Sequence, residues 1–317
     1  MQNKKYRIEL EKHSRSKRKH TCPECNIKGV FVRYIDTETY NYISDEVGRC
    51  DRQFECGYHY PPRHYFEKNR YYPKEYNKYK NLSDVSGKIK FRFTMDNSVM
   101  AATLNKSENN NLVKFLINRF DPQQVDDAII NYNVGTINKW PGATVFWQVS
   151  ITNEIRTGKI ILYNEKTGKR VKEPFPHIAW MHTAYLDINS QIKQCLFGEH
   201  LLAKEPKNTV GVVESEKTAI IASLVCPELT WVAVGGANNL NPIFCEALTG
   251  RNVILYPDTD AHNLWSEKAN LLADKMNITV SDDLQNDTEF VKNHKGADLA
   301  DYFLYLLSST DSNLQPA

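Results

Sequence analysis

The chain has 317 residues, of which 41% are hydrophobic and 25% charged, with a formal net charge of +2; these are the proportions of a globular protein, not a disordered or fibrous one. It is long enough for two or three domains, each with its own core. No run of about 18 apolar residues is present, which excludes a membrane-spanning helix, and Met-Gln-Asn-Lys-Lys-Tyr-Arg at the N-terminus lacks the apolar stretch of a signal peptide, so the cytoplasm is the expected compartment.

The distribution of charge says more than its total. Residues 4–19 carry Lys4, Lys5, Arg7, Lys12, Arg15, Lys17, Arg18 and Lys19 against only Glu9 and Glu11. Such a cluster is either a solvated tail or a phosphate-neutralising segment whose binding would depend on salt.

A cysteine cluster follows. Cys22-Pro-Glu-Cys25 places two thiols on one tight knuckle, and Cys50 and Cys56-Gly57 supply a second pair after a long insertion. That is the donor set of a structural, tetrahedral zinc site. The intervening KGVFVRYIDTETYNYI alternates as β-strands do, as a zinc ribbon requires. The five residues between Cys50 and Cys56 exceed the usual two, and His20 and His59 stand close enough in sequence to replace one thiolate. Arg33, Tyr34, Tyr40, Tyr42, Arg49, Arg52 and Phe54 add cations and stacking faces suited to single-stranded nucleic acid; Arg33 and Arg52 are the candidate contacts. A purely structural ribbon is the alternative. Cys195, Cys226 and Cys245 lie in apolar surroundings and read as buried small hydrophobes.

Pro61-Pro62 and a Tyr/Lys/Arg/Asn-rich stretch mark a connector to residue 81. Beyond it, LVKFLINRF (112–120) and VDDAIINY (125–132) have helical spacing, with Asp121-Pro122 as break and restart. TVFWQVSI (144–151) and KIILYN (159–164) read as antiparallel strands joined by TNEIRTG, with a further turn at 165–170.

From residue 208 short apolar runs alternate with helical stretches. TVGVVE (209–214), LTWVAVGG (229–236), NVILYPD (252–258) and ITV (278–280) are the expected strands. SEKTAIIASLV, NLNPIFCEALTG and HNLWSEKANLLADKM are the expected helices. This rhythm predicts a parallel sheet with crossover helices. Glu214 and Asp258-Thr-Asp260 then fall at strand C-termini, where open parallel sheets bind ligands. Three carboxylates there call for a divalent cation, Mg²⁺ or Mn²⁺, able to support phosphoryl transfer. Taken singly, Glu214 is also a helix N-terminal carboxylate and the aspartates a simple turn. GVVESEKT (211–218) imitates a phosphate-binding loop, but Glu216 occupies the second glycine position, with a side chain in the way and the wrong charge.

TVGVVESEKTAIIAS, AVGGANNL, NVILYPDTDAHNLWSEKANLL and KGADLADYF together resemble the Toprim domain of primases, topoisomerases and some nucleases, over about a hundred residues. The resemblance implies metal-binding roles for Glu214, Asp258 and Asp260. It extends the candidate catalytic set to Lys217 and Asp298, the latter with Asp301 in a late acidic motif. Glu214-Ser215-Glu216 departs mildly from the family's Glu-Gly-Glu. WQVSITNEIRTGKIILYNEKTGKR resembles the segment preceding Toprim in primase polymerase domains, which makes Arg156, Lys159, Lys169 and Arg170 candidate contacts to template and nucleotides; exposed hairpin charges are the alternative. The chain as a whole resembles Toprim-bearing proteins of Bacteroidetes mobile elements.

The expected organisation is a basic tail and β zinc ribbon (1–62), a linker (63–81), a mixed α/β primase-like region (82–205), a Toprim-like parallel sheet with flanking helices (206–308) and a tail (309–317). The resemblance implies a primase-like nucleotidyltransferase acting on single-stranded DNA with nucleoside triphosphates, alongside replication or mobilisation proteins and away from membranes. A Toprim nuclease and a non-catalytic nucleic-acid-binding accessory remain the alternatives. No helicase P-loop or helicase-binding bundle is evident.

Overall fold

The computed structural model describes residues 7–11, 19–37, 39–52, 55–68, 91–185 and 190–312. Most of the basic tail, Phe54 and the larger part of the connector lie outside the described residues. The chain divides into two compact units, Met1–Ile89 and Lys90–Ala317.

The first unit is an antiparallel sheet of β1 (Ile8–Leu10), β2 (Phe31–Asp36), β3 (Gly48–Cys50) and β4 (His59–Tyr60), in that order, followed by α1 (Pro62–Lys68). Cys22, Phe31 and Cys50 form its small buried cluster. A Cβ at Gly48 would collide with the Phe31 ring, so the absent side chain lets Phe31 lie across β3.

The second unit begins with β5 (Phe91–Phe93), α2 (Asn97–Leu104), α3 (Asn111–Ile117) and α4 (Pro122–Asn131). Asp121 accepts hydrogen bonds from the amides of Gln123 and Gln124 at 3.0 and 3.1 Å, so the expected break works as an N-cap with proline at the first helical position. An antiparallel sheet follows: β6 (Val134–Ile137), β7 (Ala143–Val149), β8 (Ile155–Ile161) and β9 (Ile178–Trp180), in that order. β8 starts earlier than sequence reasoning placed it. The turn is confined to Ser150–Glu154, closed by a hydrogen bond from the Ser150 amide to the Glu154 carbonyl at 2.9 Å, with Asn153 at φ 61°. The polar run expected as a loop continues as strand because every residue of β7 and β8 is buried, so alternation with water never appears.

β10 (Ser190–Ile192) pairs in parallel with β5, and α5 (Leu201–Lys204) leads into the last layer. There β11 (Val210–Val213), α6 (Glu216–Val225), β12 (Thr230–Ala233), β13 (Asn252–Leu255), α7 (His262–Asn270) and β14 (Asn277–Val280) build a parallel sheet in the order β12-β11-β13-β14. The chain closes with α8 (Asp283–Asn286), α9 (Thr288–Asn293) and α10 (Leu299–Ser312). The helix expected over NLNPIFCEALTG does not form; the crossover holds only 3₁₀ turns at Ala237–Asn239 and Glu246–Leu248. Asn241 takes the amides of Ile243 and Phe244 on its side chain at 3.1 and 3.0 Å, a local turn that competes with helix.

The main core of this unit joins Leu112, Phe115, Tyr132 and Phe146 to Ile220, Trp231 and Leu299. The middle region and the parallel sheet therefore share one hydrophobic interior across residue 205. Among the described residues, no helix is long and apolar enough to cross a membrane.

Candidate functional site

In the ribbon, the sulfur atoms of Cys22, Cys25, Cys50 and Cys56 all lie within 4.8 Å of one another. Cys22 Sγ and Cys56 Sγ are 3.7 Å apart, close to the roughly 3.8 Å separation that tetrahedral Zn–S bonds of about 2.3 Å impose. Two tight turns present them. The Cys22 carbonyl accepts the Asn26 amide at 2.9 Å, and the Arg52 carbonyl accepts the amides of Cys56 and Gly57 at 3.0 Å. Asn26 and Gly57 both have positive φ, 57° and 64°. Burial raises the Cys50 and Cys56 thiols, Cys50 to about 12, and the amides of Arg52 and Tyr58 that point at their sulfurs oppose it; the Ile27 amide points likewise at Cys25, and such donors favour thiolate, the form that binds metal. The Ile27 amide, its strongest influence, helps draw the Cys25 thiol down to about 7. The residues fit a structural zinc ion.

Neither histidine enters this set. His20 Nε2 lies 3.4 Å from the Glu11 carboxylate, and His59 Nε2 lies 3.0 Å from the Tyr34 hydroxyl. Arg33 is paired to Asp45 at 2.8 Å and lies 5.4 Å from the Tyr42 ring. Arg52 hydrogen-bonds the Cys25 sulfur, which makes it part of the knuckle.

In the second unit, Glu214 follows the last residue of β11, and its carbonyl accepts the Gly235 amide at 2.8 Å. Asp258 and Asp260 stand on the turn after β13. The Thr259 amide donates to the Ala297 carbonyl at 2.9 Å and its hydroxyl to the His294 carbonyl at 3.0 Å. That stitch brings the start of α10 to the same edge of the sheet. Asp298 Oδ1 accepts the Asp301 amide at 2.9 Å, and Oδ2 accepts the Thr218 hydroxyl at 2.6 Å.

The electrostatics reflect this convergence. Burial first, then Asp298, Glu214, Asp260 and Asp301, push the Asp258 carboxyl up to about 8. Burial raises Glu214 as well, with Glu216 and Asp260 adding and Lys159 and Arg170 opposing. Asp301 is raised by burial and Asp298, with Lys217 and Lys169 opposing. We call these mutually repelling carboxylates the acidic crescent. Among the described residues, only the four cysteines bring three or more metal-ligating atoms within 4.8 Å of one another.

Of the basic residues singled out from sequence, Lys159 reaches this edge from β8. Its Nζ donates to both Glu216 oxygens at 2.9 and 3.1 Å and to the Gly235 carbonyl at 3.1 Å. Its partner Glu216 is 2% exposed, so the pair is an interior lock and not a hairpin charge. Lys217 is buried with its Nζ 3.8 Å from Asp301. Lys169 and Arg170 are exposed on the turn beyond β8 and act on Asp301 and Glu214. Arg156 is buried and paired with Glu154 at 2.7 Å, and it does not join the crescent. Sequence reasoning missed Lys268 on α7, which donates to the Ala237 carbonyl and senses Glu214. Nothing in its local pattern separates it from other helical lysines.

Residues 110–259 match a family described as a domain of unknown function, DUF6371, and residues 6–71 match a zinc beta-ribbon finger. No curated protein matches the chain. Similar solved structures include the E. coli primase catalytic core, at 11% identity and a TM-score of 0.42, covering 66% of this chain and 74% of that one. The RNA polymerase domain of Mycobacterium tuberculosis primase has 13% identity and a TM-score of 0.42 over 68% of this chain and 80% of its own. The Aquifex aeolicus primase zinc-binding and RNA polymerase domains have 16% identity and a TM-score of 0.33 over 95% and 80%. At such identities no residue role transfers from them. The chain is a zinc-ribbon protein with a mixed α/β region and a C-terminal parallel sheet edged by carboxylates.

Proposed function

We propose that this protein is a primase-like nucleotidyltransferase that makes short primers on single-stranded DNA, with a divalent cation at a Toprim-type site. The observation that carries this reading is the gathering of Glu214, Asp258, Asp260 and Asp298 at the C-terminal edge of a parallel sheet, fastened by the Thr259 and Thr218 hydrogen bonds, where burial and the neighbouring carboxylates push Asp258 up to about 8. A crescent of that charge suits a ligand bearing positive charge, and Mg²⁺ or Mn²⁺ favours all-oxygen donors. Glu214, Asp258 and Asp260 would hold the cation, with exposed Asp260 turning inward to close the set. Bound there, the cation would supply positive charge to a triphosphate undergoing in-line attack.

The chain's own groups divide the remaining work. Lys159 occupies both oxygens of Glu216, which leaves Glu214 to face the crevice. Thr218 and the Asp301 amide hold Asp298 in place. Lys169 and Arg170, exposed beside the crescent, attract the phosphates of nucleotide and template. The zinc ribbon contributes a small rigid module with cations and rings for the template strand.

The test is incubation of the full chain with single-stranded DNA, labelled ribonucleotides and Mg²⁺ or Mn²⁺, beside a Glu214→Gln control. Short products that vanish in the variant support priming. Shortened template lost in the variant makes the protein a nuclease. Binding without either product, unchanged by the variant, makes it an accessory and refutes catalysis.

A further inference from the structure

The antiparallel sheet of the second unit ends in an aromatic pair for which the acidic crescent has no use. β9 is the edge strand of that sheet, and its last residue, Trp180, is the direct cross-strand neighbour of Lys159. Such neighbours project from the same face of a sheet. Lys159 leaves that face to bond Glu216 and the Gly235 carbonyl. Trp180 therefore stands beside the side chain that joins this sheet to the edge carrying Glu214.

The ring of Trp180 stacks on His182, with centroids 5.5 Å apart and planes inclined by 27°. Both residues are only half-buried. His182 is held in place by its Nδ1, 2.6 Å from the hydroxyl of fully buried Thr157 on β8. Burial pulls the imidazole down to about 4, so it is uncharged at neutral pH. Two flat, neutral rings anchored to a rigid strand but left partly in water are poorly explained as core. They have the geometry of a platform for another π system. The next glycine after the Lys159 contact, Gly236, has nothing within 4 Å of where a Cβ would stand.

We propose that Trp180 and His182 form a stacking shelf for a nucleobase, carried by a single strand or by a nucleoside triphosphate, whose phosphates run toward the carboxylate crescent. The shelf rests on the nucleic-acid reading above, and it adds the element that the crescent lacks, a contact to the base. Aromatic faces on which bases stack are how single strands are held without sequence preference.

The experiment uses the full chain as wild type, Trp180→Leu, which keeps apolar bulk without a π face, and Trp180→Phe, which restores one. The probes are a fluorescein-labelled oligo(dT), the same oligomer with abasic positions, and a fluorescent ATP analogue. Anisotropy reads affinity, and thermal unfolding confirms that each variant is folded. Loss of one stacked base is expected to weaken binding by about tenfold or more. W180L should show that loss, W180F should recover most of it, and the abasic oligomer should bind wild type and W180L alike. Loss confined to the oligomer assigns the shelf to the template strand, and loss confined to the ATP analogue assigns it to the incoming nucleotide. Equal binding of both probes by wild type and W180L, or no binding of either probe by wild type, overturns the shelf. Primer synthesis, measured separately, keeps the two ideas distinguishable. A protein that stacks bases through Trp180 yet makes no primer refutes the polymerase reading alone; one that makes primers and binds equally well as W180L refutes the shelf alone.

Discussion

Replacing Asp258 by Asn in metal-free protein should raise stability, and the gain should grow with pH. Asp258 titrates near 3.8 in the unfolded chain and at about 8 in the fold. Between those values the folded state holds a proton that the unfolded state has released, so the wild type loses stability as pH rises from about 4 to about 8. At about 1.36 kcal/mol per pH unit, the ceiling on that loss is about 6 kcal/mol. Asp258 keeps some contact with water, and Glu214 and Asp301 are raised alongside it, so roughly 2 kcal/mol is the expected share. For a unit of this size that corresponds to an unfolding midpoint about 4–8 °C higher for D258N above pH 8, with little difference near pH 4. Mn²⁺ should raise the wild-type midpoint and leave that of D258N nearly unmoved. Differential scanning calorimetry across pH 4–9, with chelator and then with Mn²⁺, reads all of this. A wild type as stable as D258N above pH 8, or a difference that does not change with pH, would refute the claim that the crescent strains this carboxyl.

Two further outcomes are expected. Metal analysis should find about one zinc per chain; Cys50→Ser should remove it and unfold Met1–Ile89, seen as rapid amide exchange there, while Lys90–Ala317 stays protected. Lys159→Met leaves Glu216 buried without a partner and should cost about 3–5 kcal/mol in urea denaturation, with most of it recovered in K159M/E216L; a single-variant cost under about 1 kcal/mol would show that the pair is not the interior lock its geometry describes.

The zinc site and the location of the acidic edge were legible in the sequence for local reasons. Two residues between Cys22 and Cys25 suffice to build a knuckle, and an apolar run ending in an acidic residue puts Glu214 and Asp258 at strand ends whatever the sheet packs against. The missed helix after β12 was also local in cause, since Asn241 diverts two amides that the helix would need, but composition alone did not reveal that diversion. Other features needed the third dimension. Arg156 and Lys159 lie three residues apart in one strand, and sequence ranked them equally. A bulge opposite Gln148 and Val149 leaves Arg156 out of the β7–β8 ladder, and only the register of β8 sends Lys159 to Glu216 and leaves Arg156 with Glu154. Asp298 and Asp301 reach the crescent because Thr218 and the Thr259 turn fasten α10 there, and Trp180 meets Lys159 through pairing of β8 with β9. The chemistry available was written in residue types and short spacings. Which of those groups face one another was decided by contacts between distant segments, because carboxylates, ammoniums and rings act over a few ångströms and only packing brings them that close.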